Sequence, residues 1–341
     1  MKLASVKRWT LMSLWALVLL APSWATAHVT FRRIVAFGTS LSDPGNAFAL
    51  TGQANTPPYD DPQLLDPVSL VPSAPYAIGG HHFSNGATWV EQFARPLGLA
   101  GDVRPAFQGA SGTASNYAVG GARARDDGVN VNLSAQVSVF LGDSGGAVPS
   151  DALYVVEIGA NDIRDAVAAL AAGADGSAII VAALTAVGDN LGALYAAGAR
   201  EFLIVNVPNL ALTPAVRTLD SRSPGAAQAA AGFTQAFNGG LDTLLGLLAG
   251  LPGLEITQLD VYQTLNELVA NPEAFGLREV EAACITPSLP PFACQTPDEF
   301  LFWDGIHPTK VTHAIFAQEA AFALAESRAR FAARAQVWHR E

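Results

Sequence analysis

The stretch "IVAFGTSLSDPGN", residues 34–46, runs from Ile34–Phe37, four residues suited to a buried strand, into Gly38-Thr39-Ser40. A polar segment broken by Pro44 and Gly45 follows. A short unbroken run of β-branched and aromatic residues fits a strand covered on both faces. Two readings of its end compete. Ser and Thr are favoured at helix starts because their oxygens accept free backbone N–H groups there, so the turn can be structural. A small hydroxyl at the edge of a sheet can equally be a nucleophile, and the turn by itself does not choose.

Working outward, strand-like runs recur at 152–159 ("ALYVVEIG"), 201–207 ("EFLIVNV") and, more weakly, 254–260 ("LEITQLD"). Ala- and Leu-rich helical candidates lie at 163–172, 178–197, 225–249 and 310–335. Buried strands alternating with helices indicate an α/β domain whose parallel sheet is covered on both faces. In such sheets active groups collect just beyond the carboxyl ends of strands. Gly38-Thr39-Ser40 and Gly159-Ala160-Asn161-Asp162 both occupy that place. Residues 51–80 are rich in proline and polar residues without a period, and read as a surface excursion able to wall a cleft. Residues 271–300 read as a second irregular region. Neither resembles a domain linker and no internal repeat is evident, so residues 28–341 are expected to form one domain.

At the amino end, Lys2, Lys7 and Arg8 precede the apolar run "LMSLWALVLLAPSW" and then "ATA". This is the layout of a signal peptide, residues 1–27, cleaved after Ala27 to give an exported protein. Pro22 interrupts the run early and no second run of spanning length follows, so no stable membrane insertion is expected after cleavage. The whole chain carries a net charge of −11, and the first 27 residues hold three basic and no acidic residues, so the mature net is −14. Such a surface repels phosphate backbones at long range, which argues against a nucleic-acid partner. The two cysteines, Cys284 and Cys294, lie close together in the proline-rich "CITPSLPPFAC". In an exported protein that pattern fits a disulfide; a zinc site needs further Cys or His nearby, and the loop has none.

Six histidines are candidates for a catalytic base. His28 becomes the new amino terminus, His339 sits in the polar tail, and His81 and His82 in "GGHHFSNG" fit surface solvation. His313 falls inside the last helix. His307, in "WDGIHPT" (303–309), has Asp304 three residues ahead and Pro308 directly after it. In a turn that spacing lets both side chains face one cleft, but a helix-entry turn capped by Asp304 fits the same residues.

Taken together and in order, "FGTSLSD" (37–43), "NYAVGGA" (116–122), "GAND" (159–162) and "WDGIHPT" resemble the SGNH/GDSL hydrolase family. The resemblance implies a flavodoxin-like three-layer α/β/α sandwich with a central parallel sheet. It also implies hydrolysis of carboxylic esters (lipid, aryl or acetyl) through an acyl-enzyme, without metal or organic cofactor. Carried over by position, Ser40 is the nucleophile, His307 the base and Asp304 its orienting acid. The backbone N–H groups of Ser40 and Gly121 and the side-chain amide of Asn161 form the oxyanion hole. Residues 82–94 resemble a segment that many extracellular members carry, read here as a turn and an amphipathic helix. The family signature has aspartate where this chain has Thr39, which replaces part of the hydrogen bonding but not the charge; Asp43 and Asn46 are expected to shape the loop. An acyltransferase using the same site is the alternative. A non-catalytic lipid- or carbohydrate-binding protein would be expected to have lost one of Ser40, Asn161, Asp304 or His307, and all four are present.

Overall fold

The computed structural model describes residues 31–109 and 114–338; the expected signal peptide, His28 and His339 lie outside the described residues. Its centre is a parallel sheet of four strands, β1 (Arg33–Gly38), β2 (Ala152–Glu157), β3 (Glu201–Val205) and β4 (Glu255–Leu259), adjacent in that order. Every residue of β2 is buried, as expected of a strand with both faces covered. Residues 115–119 run along the free side of β1: the Ala36 N–H donates to the Ser115 carbonyl, and the N–H groups of Tyr117 and Val119 donate to the carbonyls of Ala36 and Gly38. The segment that lies between β1 and β2 in sequence thus sits on the far side of β1, and the winding of the chain reverses there. In open α/β sheets such a reversal leaves a crevice beyond the carboxyl ends of the strands.

Side chains alternate across the sheet. Val35, Phe37, Tyr154, Val156, Phe202 and Ile204 face one layer, whose helices include α3 (Leu133–Asp143), α4 (Ala160–Ala171), α5 (Ser177–Ala197) and α7 (Ala226–Leu248). Ile34, Ala36, Leu153, Val155, Leu203 and Val205 face the other, built from α2 (Trp89–Ala94), α8 (Val261–Ala270) and α9 (Lys310–Trp338). The short α1 (Asn46–Thr51) follows the Ser40 loop, and α6 (Pro214–Arg222) packs against α7. This is the expected three-layer α/β/α sandwich. Among the described residues α5 alone is long and apolar enough to cross a membrane; here Ile180, Ala183, Val187, Leu191 and Leu194, spaced by three or four, bury its inner stripe.

Beside the short α1, helices α3, α6 and α8 were not anticipated. In α6 the polar "RTLDSR" hides the period, yet Thr213 caps it by accepting from the Val216 N–H, and Pro214 opens it. Helix α8 starts directly after β4, capped by Asp260 accepting from the Gln263 N–H, and buries Val261, Thr264, Leu265 and Leu268. In α3 the buried positions Leu133, Gln136, Val137 and Phe140 include a polar one that serves the site. Helix α4 begins at Ala160, earlier than expected, so Asn161 and Asp162 belong to its first turn rather than to a loop. The irregular region 271–300 contains a strand, β5 (Glu279–Ala283), which pairs in parallel with β6 (Phe300–Phe302).

The excursion over 51–80 is held down by its own buried residues. Tyr59, Leu64 and Tyr76 pack with Cys284, Ile285 and Trp303 into a small satellite core. Cys284 and Cys294 form a disulfide within this cluster. Where α2 meets α9, Nδ1 of the buried His313 accepts the Trp89 N–H. Burial, with the imidazoles of His82 and His307 nearby, pushes the pKa of His313 down to about 3. His82 is also buried rather than solvated, paired with Glu91 at 2.8 Å.

Replacing Cys284 and Cys294 together by Ser is expected to cost about 3 kcal/mol, the chain-entropy value for a loop of this length, less whatever the loop's prolines already restrict. Urea unfolding reads this; an unchanged midpoint would contradict it. His313 makes a pH-dependent contribution, because the unfolded chain takes up a proton near pH 6.5 and the folded one only near 3. That stability is fully present above pH 6.5 and is lost as pH falls towards 3. His313→Gln, which keeps an acceptor for Trp89 and cannot titrate, is therefore expected to flatten the fall in unfolding free energy, read from urea titrations between pH 7 and 4, by about 3 kcal/mol at pH 4. A parallel fall in both proteins would contradict it.

Candidate active site

Strand β1 ends at Gly38 because nothing larger fits: a Cβ there would lie 2.6 Å from the Glu157 carbonyl oxygen. Gln136 of α3 clamps the same residue, accepting from its N–H and donating to its carbonyl, both at 2.9 Å. The chain then turns at Thr39-Ser40-Leu41, with the Ser42 N–H returning to the Thr39 carbonyl. Beneath the turn lies the buried carboxyl of Glu157, the last residue of β2. It accepts from the Thr39 N–H at 3.2 Å, from the Thr39 hydroxyl at 2.9 Å and from the Ser42 hydroxyl at 3.1 Å. Burial raises its pKa to about 7 although these three donors pull the other way.

The segment ahead of α9 delivers the partners of Ser40. Nε2 of His307 lies 2.8 Å from the Ser40 hydroxyl, and Nδ1 lies 2.7 Å from Oδ2 of Asp304. A proton on Nδ1 satisfies the carboxylate and leaves Nε2 to accept from Ser40. Asp304 is fully buried. Its Oδ1 accepts the N–H groups of Ile306 and His307, and its Oδ2 also takes the Tyr76 hydroxyl at 2.9 Å. Asp304 closes the turn with Oδ1 and meets the imidazole with Oδ2; it is not the cap of α9, which begins six residues later, and His307 is buried rather than exposed. Gly305 makes the tight turn possible, since a Cβ there would lie 2.1 Å from the Ser69 carbonyl oxygen.

Asn161, in the first turn of α4, donates through Nδ2 to the Ala122 carbonyl at 2.9 Å. Gly121 precedes Ala122 with φ +81°, a conformation favouring glycine. Asp43 ties the two loops together: it accepts from Gly45, Asn46 and Ala47 in its own loop and from the Gly120 N–H at 2.8 Å across the crevice. Burial lifts its pKa to about 6 against those hydrogen bonds. Asn46 donates to the carbonyls of Asn116 and Ala118, so Asp43 and Asn46 shape the loop as expected. Among the described residues neither the Ser40 N–H nor the Gly121 N–H meets a protein acceptor. Ser40, Asn161 and His307 open onto one cavity of about 210 Å³; Gly121 is not among its lining residues and is linked to it through the bonds of its neighbours. The excursion contributes Val68, Ser69 and Val71 to the wall. His313 does not line the cavity, and no group of three or more His, Cys, Asp or Glu among the described residues could hold a metal ion.

Glu157 and Tyr76 escaped sequence reasoning. Glu157 had a usable signal, a carboxylate closing an otherwise apolar strand; Tyr76 lies 228 positions from Asp304 in a loop without a period.

Residues 34–320 match the family described as GDSL-like Lipase/Acylhydrolase. A GDSL esterase/lipase of Arabidopsis thaliana is 28% identical over 85% of this chain and 88% of its own length. A phosphatidylcholine-sterol acyltransferase of Aeromonas hydrophila is 26% identical over 93% of this chain and 96% of its own. The match runs from β1, through both loops of the crevice and the His307 turn, into α9, and on it the chain belongs to the GDSL-like lipase/acylhydrolase family of carboxylic ester hydrolases.

Proposed function

We propose that the protein is an exported, single-domain carboxylic ester hydrolase with Ser40 as nucleophile, His307 as general base and Asp304 as the acid that orients it. The observation that carries this reading is the unbroken line of hydrogen bonds from Ser40 through His307 to Asp304 at a largely apolar cavity. Ser40 Oγ attacks the ester carbonyl while Nε2 of His307 takes its proton. The carboxylate of Asp304, held by Tyr76 and two backbone N–H groups, fixes the imidazole and offsets the positive charge that develops on it. The N–H groups of Ser40 and Gly121 and the Asn161 amide donate to the oxyanion. His307 then protonates the departing alcohol, activates a water, and the acyl group leaves as acid.

Apolar walls suit an acyl chain. An alcohol in place of that water would make the enzyme an acyltransferase, a second reading favoured by the name of the Aeromonas hydrophila relative; products formed with added alcohols separate the two. Export rests on the amino-terminal pattern and agrees with the disulfide.

Ser40→Ala is expected to lower kcat on the order of 10⁶-fold with the fold intact. His307→Ala should be nearly as severe and Asp304→Ala milder by roughly tenfold to a hundredfold. The double variant Asp304→Ala/His307→Ala should fall no further than His307→Ala, because the acid acts through the base. Steady-state hydrolysis of p-nitrophenyl esters from acetate to palmitate measures all four. Multiplying losses, or a His307→Ala enzyme with most of its kcat, would contradict the assignment.

A further inference from the structure

The cavity beside Ser40 is walled almost throughout by apolar groups, among them Val71, Ile163, Val167, Val216 and Leu219. Beside the polar Ser40, Asn161 and His307, one cation stands in this wall. Arg164, one turn beyond Asn161 on α4, is the only Lys, Arg, Asp or Glu among the lining residues. Its NH1 group donates to Oδ1 of Asn161 at 3.3 Å, and among the described residues no carboxylate lies within ion-pair distance of it. The acids nearby are engaged elsewhere: Asp165 pairs with both Arg123 and Arg125, and Asp162 with Arg125. Burial and the positive charge of Arg123 lower the pKa of Arg164, against a weaker opposite pull from the carboxylates of Asp165 and Asp304. A guanidinium carries five N–H donors; Arg164 is partly buried and spends one of them on Asn161, which leaves others to meet a ligand in the cavity.

We infer that Arg164 anchors an anionic group of the substrate, a phosphate or carboxylate on the alcohol side of the ester, while the acyl chain lies in the apolar part of the cavity. Geometry sets the spacing. Asn161 is shared between the two events, its Nδ2 facing the oxyanion in the proposed mechanism and its Oδ1 already touching Arg164. With ordinary hydrogen-bond lengths at each contact, the anion lies roughly 5–9 Å from the carbonyl oxygen, a few bonds away on one molecule. The net charge of −11 repels anions at long range, so the attraction is local to this guanidinium. The inference rests on the proposed ester hydrolysis at Ser40, and it predicts a substrate class that the apolar walls alone do not.

The test compares matched esters. One pair is 1-octanoylglycerol 3-phosphate with 1-octanoylglycerol; the other is 4-(octanoyloxy)benzoate with its methyl ester. Wild-type kcat/KM is expected to favour the anionic member of at least one pair, the phosphate or the carboxylate pair then naming the source. Arg164→Gln keeps a donor for Asn161 and loses the charge. It is expected to reduce that preference tenfold or more, chiefly through KM, with Arg164→Lys restoring part of it. Any fall common to both members of a pair reports the contact with Asn161 and cancels in the ratio. A measurement without variants stands beside it: glycerol 3-phosphate or 4-hydroxybenzoate should inhibit the wild type more strongly than glycerol or methyl 4-hydroxybenzoate. No anionic preference in either pair, or a preference unchanged in Arg164→Gln, overturns the inference. Failure of the proposed function is read separately, as neutral-ester turnover that survives Ser40→Ala.

Discussion

The structure depends on the reversal of winding at β1. Because residues 115–119 hydrogen-bond to one side of that strand and β2 to the other, the connections leave its carboxyl end in opposite directions and the space above it stays open. Three chain segments finish at that opening: the Ser40 turn, the Gly120-Gly121 loop and the first turn of α4 with Asn161. The fourth contributor, Asp304-Gly305-Ile306-His307, arrives from the far end of the sequence between β6 and α9 and is held by contacts to Tyr76 and the 69–70 backbone. Ser40 and His307, 267 positions apart in sequence, are thereby brought within hydrogen-bonding distance, and the same imidazole reaches Asp304 on its other side.

Buried carboxyls hold these segments in place. Glu157 gathers three donors from the Ser40 turn and Asp43 bridges to Gly120; each has its pKa raised by burial despite those bonds. The arrangement accounts for Thr39 where the family signature has aspartate. An aspartate at 39 would set a second carboxyl against Glu157, and like charges that close disfavour ionisation of both. Threonine meets the same carboxyl with a hydroxyl donor, so in this chain the acid of the turn comes from the neighbouring strand.

Much of this was legible in the sequence. Strands β1 to β4 and the long helices α5, α7 and α9 stand out as apolar runs in alternation, and Ser40, Asn161, Asp304 and His307 stand out by their motifs. What escaped had physical reasons. Helices α6 and α8 are short, and their caps, Thr213 and Asp260, follow so closely on neighbouring elements that the periods merge. The edge backbone at 115–119 carries "SNYAV", too brief and polar to read as a strand, and it is recognisable only from its bonds to β1. His82 sits among glycines that suggest solvent, yet Glu91 supplies a buried partner that no local pattern reveals. Arg164 looks like an ordinary surface arginine on an amphipathic helix until the cavity is seen beside it.

In the proposed mechanism Ser40 owes its reactivity to His307. Diisopropyl fluorophosphate phosphorylates an activated serine with loss of fluoride, and peptide mapping by mass spectrometry locates the adduct. One adduct is expected, on Ser40, formed rapidly in the wild-type protein and slowed by orders of magnitude in His307→Ala. An adduct on another residue, or labelling of Ser40 at an unchanged rate without the imidazole, would contradict it.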